Sequence, residues 1–262
     1  MATAATIDAG TRPGAETIDL QEGNSHGILL LHGFGDTPQT LALLANHLHE
    51  RGYDVKAPLL PGHGRTVDAF MASRRKDWLA CARHELAILR ANHESMSIAG
   101  LSMGGAIAAI LASENPDAKS LVMIAPYLDM PLTARIASAS HWLWGSAAGP
   151  RKSTSPRSIL DPEERQKNLG YGVYTGRLLY ELWRLAAQAH HALASITIPA
   201  LLIQSREDPR IAPGVAERAY AALGSREKKL TWAEGGGHII TVDFGREKVF
   251  EGVERWIEQH SA

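Results

Sequence analysis

The chain has 262 residues, 45% of them hydrophobic and 21% charged, with 27 Lys and Arg against 28 Asp and Glu. A chain of this length buries enough apolar surface to fold without disulfides or a structural metal, and its composition excludes disorder. The near-neutral charge excludes general binding to a phosphate backbone, and the lone Cys81 requires no oxidising compartment.

The first 20 residues, MATAATIDAGTRPGAETIDL, have no basic segment leading into an apolar run and read as a flexible polar tail. No run of roughly 18 apolar residues follows, which predicts no membrane span and a cytoplasmic location. Residues 28–31 form a short apolar run, read as a buried strand, and pass into the glycine-rich HGFGDTP. Pro38 suits a first helical turn, Leu41, Leu44, Ala45 and Leu48 recur at helical spacing, and Gly52 closes the helix. Residues 53–56 read as a strand stopped by Pro58, Pro61 and the PGHG turn. Trp78, Ala82, Leu86 and Leu89 mark the next helix.

Residues 97–99 enter a second strand-to-loop junction, GLSMGG, followed by a helix of small residues that ends near Asn115-Pro116. Further strands are expected at 121–125, 200–204 and 230–233, and a last helix at 248–259. Repeated strand–helix–strand units predict an α/β fold, a mostly parallel sheet with helices on both faces. In such sheets ligands sit beyond the carboxyl ends of the strands, so chemical residues are expected just after the apolar runs.

Residues 127–195 break the alternation and are rich in aromatic residues. They are read as a mostly helical cap between two core segments, 21–126 and 196–262. Its Tyr127, Trp142, Trp144, Tyr171 and Trp183, with Phe34, are the expected lining of an apolar substrate pocket.

Gly100-Leu101-Ser102-Met103-Gly104 fits G-x-S-x-G between a strand and a helix. Glycines two residues either side of a sharply turned serine remove collisions with neighbouring backbone and lift its hydroxyl above the sheet. A serine hydroxyl needs a base, and the base needs an orienting carboxylate. His238, after three glycines near the C-terminus, is the best-placed base. Asp208 and Glu207 both follow the 200–204 strand and are chemically competent carboxylates. The backbone amides of Phe34 and Met103 are the candidate oxyanion donors. His32 and His63 read as loop-fixing residues, and Arg74-Arg75-Lys76 as a solvated surface. The adjacent His190 and His191 point in different directions on a helix and suit no single metal, so no metal or cofactor is expected.

The order Ser102, Asp208, His238, with LLLHGFGD, PGHG, GLSMGG, REDPRI and GGGH in their places, resembles the α/β-hydrolase superfamily, and within it the carboxylesterase and monoacylglycerol-lipase branch. The resemblance covers roughly residues 25–260. It implies Ser102 as nucleophile, Asp208 rather than Glu207 as the acid, His238 as base, and a helical cap before the acid. It also implies hydrolysis of short- to medium-chain acyl esters, monoacylglycerol or aryl esters among them, through an acyl-enzyme. A serine-dependent C–C or amide hydrolase and a non-hydrolytic ligand-binding relative share the fold and are the alternatives. A haloalkane dehalogenase or epoxide hydrolase is disfavoured because those carry Asp where Ser102 stands. The sequence departs from the family pattern in the triple glycine before His238, where one glycine suffices. Monomer and homodimer both stay open.

Overall fold

The computed structural model describes residues 10–143, 149–152 and 158–261. In chain order these form β1 (Ile18–Leu20), β2 (His26–Leu31), α1 (Ala42–His49), β3 (Asp54–Ala57), α2 (Val67–Ala72), α3 (Arg75–Asn92), β4 (Ser95–Leu101), α4 (Met103–Glu114) and β5 (Ser120–Ile124). There follow α5 (Leu132–Ala139), β6 (Arg151–Lys152), α6 (Pro162–Lys167), β7 (Val173–Tyr174), α7 (Gly176–Ala192), β8 (Ala200–Ser205), α8 (Pro213–Ala222), β9 (Lys228–Ala233) and α9 (Arg246–His260). The main sheet has the order β1-β3-β2-β4-β5-β8-β9, parallel except for β1, which pairs antiparallel with β3.

The strands are apolar on both sides because both faces of the sheet are covered. Leu29 and Leu31 of β2, Ile98 of β4 and Leu121 and Met123 of β5 join one buried cluster with α3, α4 and α7. Their neighbours Ile28, Leu30, Ala99, Leu101, Val122 and Ile124 join the opposite cluster with α1 and α9. This strict alternation is the two-residue period of a strand. It fixes the register, since a slip of one residue would exchange the two faces.

Two sequence expectations change in detail. From Gly10 onward the segment expected as a tail is bound to the body. The Arg12 amide donates to the Gly64 carbonyl at 2.7 Å, Ala15 is fully buried, and 18–20 pair with β3. A three-residue edge strand carries too short an apolar pattern to be read from sequence. Within 127–195, α7 lays Leu178, Leu182, Leu185 and Ala189 into the cluster that holds α4, so this helix is packed on the sheet layer itself. Trp144 and most of the RKSTSPRS patch lie outside the described residues. None of the described helices is long and apolar enough to cross a membrane.

Candidate active site

β4 ends at Leu101 and α4 begins at Met103, leaving Ser102 alone to reverse the chain. Its backbone takes φ 55°, ψ −114°, a sparsely populated region for a residue with a side chain. Ser102 is held there by its amide donating to Ile124 O at 2.9 Å and its carbonyl accepting from Tyr127 N at 3.0 Å. The flanking glycines are sterically required. A Cβ on Gly104 would lie 1.9 Å from the Leu31 carbonyl oxygen, and one on Gly100 would lie 2.2 Å from the Gly104 carbonyl oxygen. Both collisions are with backbone, which cannot swing aside.

Ser102 Oγ lies 2.8 Å from His238 Nε2, and His238 Nδ1 lies 2.8 Å from Asp208 Oδ2. All three residues are buried. Asp208 Oδ1 accepts from the amides of Arg210 at 2.7 Å and Ile211 at 3.0 Å, and Oδ2 also accepts from Gln204 Nε2 at 2.8 Å. Burial alone would raise the carboxyl's pKa. The bonds from His238 and from the two amides outweigh it and hold the pKa below the ordinary aspartate value. Glu207 is exposed, and its amide donates to Ser205 Oγ at 3.1 Å. Between the two candidate carboxylates, Asp208 is the one that reaches the imidazole.

The HGFG segment abuts the nucleophile: a Cβ on Gly33 would lie 3.5 Å from Ser102 Cβ. Met103 is the first residue of α4, so its amide is among those a helix start leaves without an intrahelical acceptor. His32 anchors the segment from within. Its Nδ1 donates to Gly33 O at 2.9 Å while Nε2 accepts from Leu60 N at 3.1 Å, and burial lowers its pKa to about 4, so the ring is neutral. His63 packs its buried ring on those of His32, Phe70 and Trp78. Both histidines tie the loops beside the site together, as the sequence suggested.

A cavity of about 640 Å³ opens over Ser102 and His238. Phe34 and Tyr127 line it as expected, with Val173, Leu179 and Leu182 completing an apolar side. Of the other expected aromatics, the three among the described residues are placed elsewhere. Tyr171 turns away to stack on Phe70 and bond Arg65 N and Gly62 O. Trp142 is 73% exposed on the surface, and Trp183 packs on the core beside Tyr180. Aromatic content marked the region but could not say which rings face inward, since helix rotation decides that.

The sequence of residues 24–244 matches the hydrolase family described as serine aminopeptidase, S33. The chain belongs to this family. It is 30% identical over 248 residues to a thermostable monoacylglycerol lipase of Bacillus sp. (strain H-257), covering 95% of this chain and 96% of that one. It is 28% identical over 241 residues to a carboxylesterase of Bacillus subtilis (strain 168), covering 91% and 94%. Among solved structures, one from work on LipS and LipT, two metagenome-derived lipolytic enzymes, superposes with a TM-score of 0.87 at 31% identity, covering 95% of this chain and all of that one. The monoacylglycerol lipase of Paleococcus ferrophilus shares the fold, with a TM-score of 0.80 at 19% identity and coverage of 93% and 98%. The family is of the lipase and esterase type, serine hydrolases on an α/β-hydrolase fold.

Three supporting residues were not singled out from sequence. Gln204 braces Asp208 from the end of β8. Asp243 is fully buried, and its carboxylate accepts from the amides of Leu160, Asp161, Gly237 and Phe244 at 2.7–2.9 Å. It thereby pins the glycine loop before His238 to the segment 158–161, whose Ser158 carbonyl accepts from both His238 N and Ile239 N at 2.9 Å. The triple glycine is thus held on two sides. Asp36, in the cavity wall, is the third. The D in HGFGD was visible in the sequence, but its orientation toward the cavity was not.

Proposed function

We propose that the protein is a carboxylic ester hydrolase working through an acyl-enzyme on Ser102. The observation that carries this is the continuous hydrogen-bonded line from Ser102 Oγ through His238 to Asp208 Oδ2, with 2.8 Å at each contact. His238 Nε2 takes the hydroxyl proton as Oγ attacks the ester carbonyl. Asp208 orients the ring through Nδ1 and favours the imidazolium that forms. The amides of Phe34 and Met103 receive the developing negative oxygen, where one donor is worth about 3–4 kcal/mol. His238 then protonates the departing alcohol, and water repeats the attack and frees the acid.

The apolar side of the cavity supports an acyl or aryl group of short to medium length, monoacylglycerols included. The names of the relatives, a monoacylglycerol lipase and a carboxylesterase, support the ester class. Residues 127–195 would act as the cap over this site, with Tyr127, Val173, Leu179 and Leu182 contributing its apolar wall. A cytoplasmic location and small-molecule esters as substrates complete the proposal.

A series of p-nitrophenyl esters of increasing chain length, with wild type and Ser102→Ala, tests the proposal. Turnover should peak at short to medium chains and fall by more than about a thousandfold in the variant, whose circular dichroism should match wild type. Undiminished turnover by Ser102→Ala would refute it. Cleavage of amides or of carbon–carbon bonds, with esters refused, would transfer the same triad to the alternative chemistry.

A further inference from the structure

An oxyanion site works only if its donors are aimed to a fraction of an ångström, yet Phe34 stands on a glycine-rich loop with little stiffness of its own. Two donors grip the Gly33 carbonyl, His32 Nδ1 at 2.9 Å and the Asp36 amide at 3.3 Å. A peptide is planar, so fixing that oxygen also fixes the direction of the Phe34 N–H. The next hold comes from outside the loop. The Tyr171 amide donates to the Gly35 carbonyl at 3.0 Å. The Tyr171 phenol accepts from the Arg65 amide at 2.7 Å and donates to the Gly62 carbonyl at 3.3 Å. Its ring stacks on Phe70 with 4.9 Å between centroids, and the Phe70 ring lies 5.1 Å from that of Phe34.

Tyr171 is itself held by Arg12. The guanidinium carbon lies 4.6 Å from the centre of the Tyr171 ring, and Nη2 donates to the Leu169 carbonyl two residues earlier. The Arg12 amide donates to the Gly64 carbonyl at 2.7 Å. Ala15 is fully buried, and a Cβ on Gly64 would lie 2.9 Å from the Ala15 Cβ. Residues 10–17 therefore strap the PGHG turn to the segment 168–171, which continues along the cavity wall through Gly172 and Val173. We propose that Arg12 is a positioning residue for the oxyanion site, acting through Tyr171 on the loop that carries the Phe34 amide. The proposal rests on the ester-hydrolase reading above. Arginine suits the role because its planar head can cover an aromatic ring while a second nitrogen reaches a carbonyl. A lysine ammonium is a compact point charge that lacks this planar face.

The test measures kcat, KM and the Ki of a trifluoromethyl ketone bearing the same acyl chain, in wild type, Arg12→Ala, Arg12→Lys and Tyr171→Ala. Ser102 Oγ adds to the ketone carbonyl and leaves a negative oxygen in the hole, so this Ki reads the oxyanion site directly. Arg12→Ala should lower kcat about tenfold, keep KM within about threefold, and weaken the ketone by the same factor as kcat/KM. Arg12→Lys should recover only part of the loss. Arg12→Ala added to Tyr171→Ala should cost no more than Tyr171→Ala alone, because both act along one route. A merely structural role would lower the melting temperature and leave kcat and the ketone Ki in place well below it. Turnover in Arg12→Ala within about twofold of wild type, an unchanged ketone Ki, full recovery by lysine, or additive losses in the double variant would overturn the proposal. If Arg12→Ala does not fold, Arg12→Lys decides by the same readings of kcat and Ki. Absence of any ester turnover in wild type would refute the underlying reading instead, and the proposal with it.

Discussion

Asp36→Asn should make the protein more stable, and only where the carboxyl would be charged. Burial raises the pKa of Asp36 from 3.8 to about 6, so the folded chain holds this proton more tightly than the unfolded chain. Between those values the native state binds more protons, and stability contributed at this site falls as pH rises. Below the unfolded value the acid is neutral in both states and costs nothing. Above about 6 the full penalty stands, a little over two pKa units or about 3 kcal/mol as an upper value. Asparagine keeps the shape and carries no charge, so the variant escapes the penalty. Its advantage should grow by about 2 kcal/mol between roughly pH 4.5 and pH 8. Urea denaturation of both proteins, followed by the fluorescence of their six tryptophans, measures it, and taking the difference cancels the other titrating groups. The same difference at both pH values, or an Asn variant less stable at the higher one, would refute the reasoning. A group that costs stability at working pH is expected where function uses it.

The strained backbone at Ser102 gives a second test. Ser102→Gly should melt above Ser102→Ala, because glycine adopts φ 55° without strain, and the difference should be about 1–3 kcal/mol. Asp208→Asn should lower kcat by about ten-thousandfold through loss of the imidazole's orientation, whereas exposed Glu207→Gln should change it by less than about threefold. Steady-state kinetics on one ester separates the two, and a larger loss at Glu207 would reverse the assignment. Asp243→Asn replaces an acceptor of four backbone amides with a group that accepts on one oxygen only. It should cost about 3 kcal/mol or more and lower kcat together with stability, as read by urea midpoint and ester turnover.

Much of the site was legible because its requirements are local. Gly100 and Gly104 must be glycine wherever a serine is turned this sharply, so the motif and its strand–helix setting point to Ser102 from the sequence itself. The apolar runs named the core strands to within a residue or two, since a strand covered on both faces is apolar over most of its length, and polar end residues such as Ser95, Ser120 and Ser205 account for the remaining differences. The pairing of β1 with β3 was not legible. Three residues carry no period, and an edge strand is selected by the partner it meets.

The chain's own order of residues determined the parallel sheet, the turned serine and the two loops that approach it, because each follows from backbone sterics and hydrophobic period over a few neighbours. Tertiary structure alone decided which aromatic rings face the cavity and that Asp36 stands there with a raised pKa, and it brings Asp208, the carboxylate the family resemblance implies, against the imidazole. These depend on how a side chain points and how much water it keeps, and both are set by distant segments brought together only on folding.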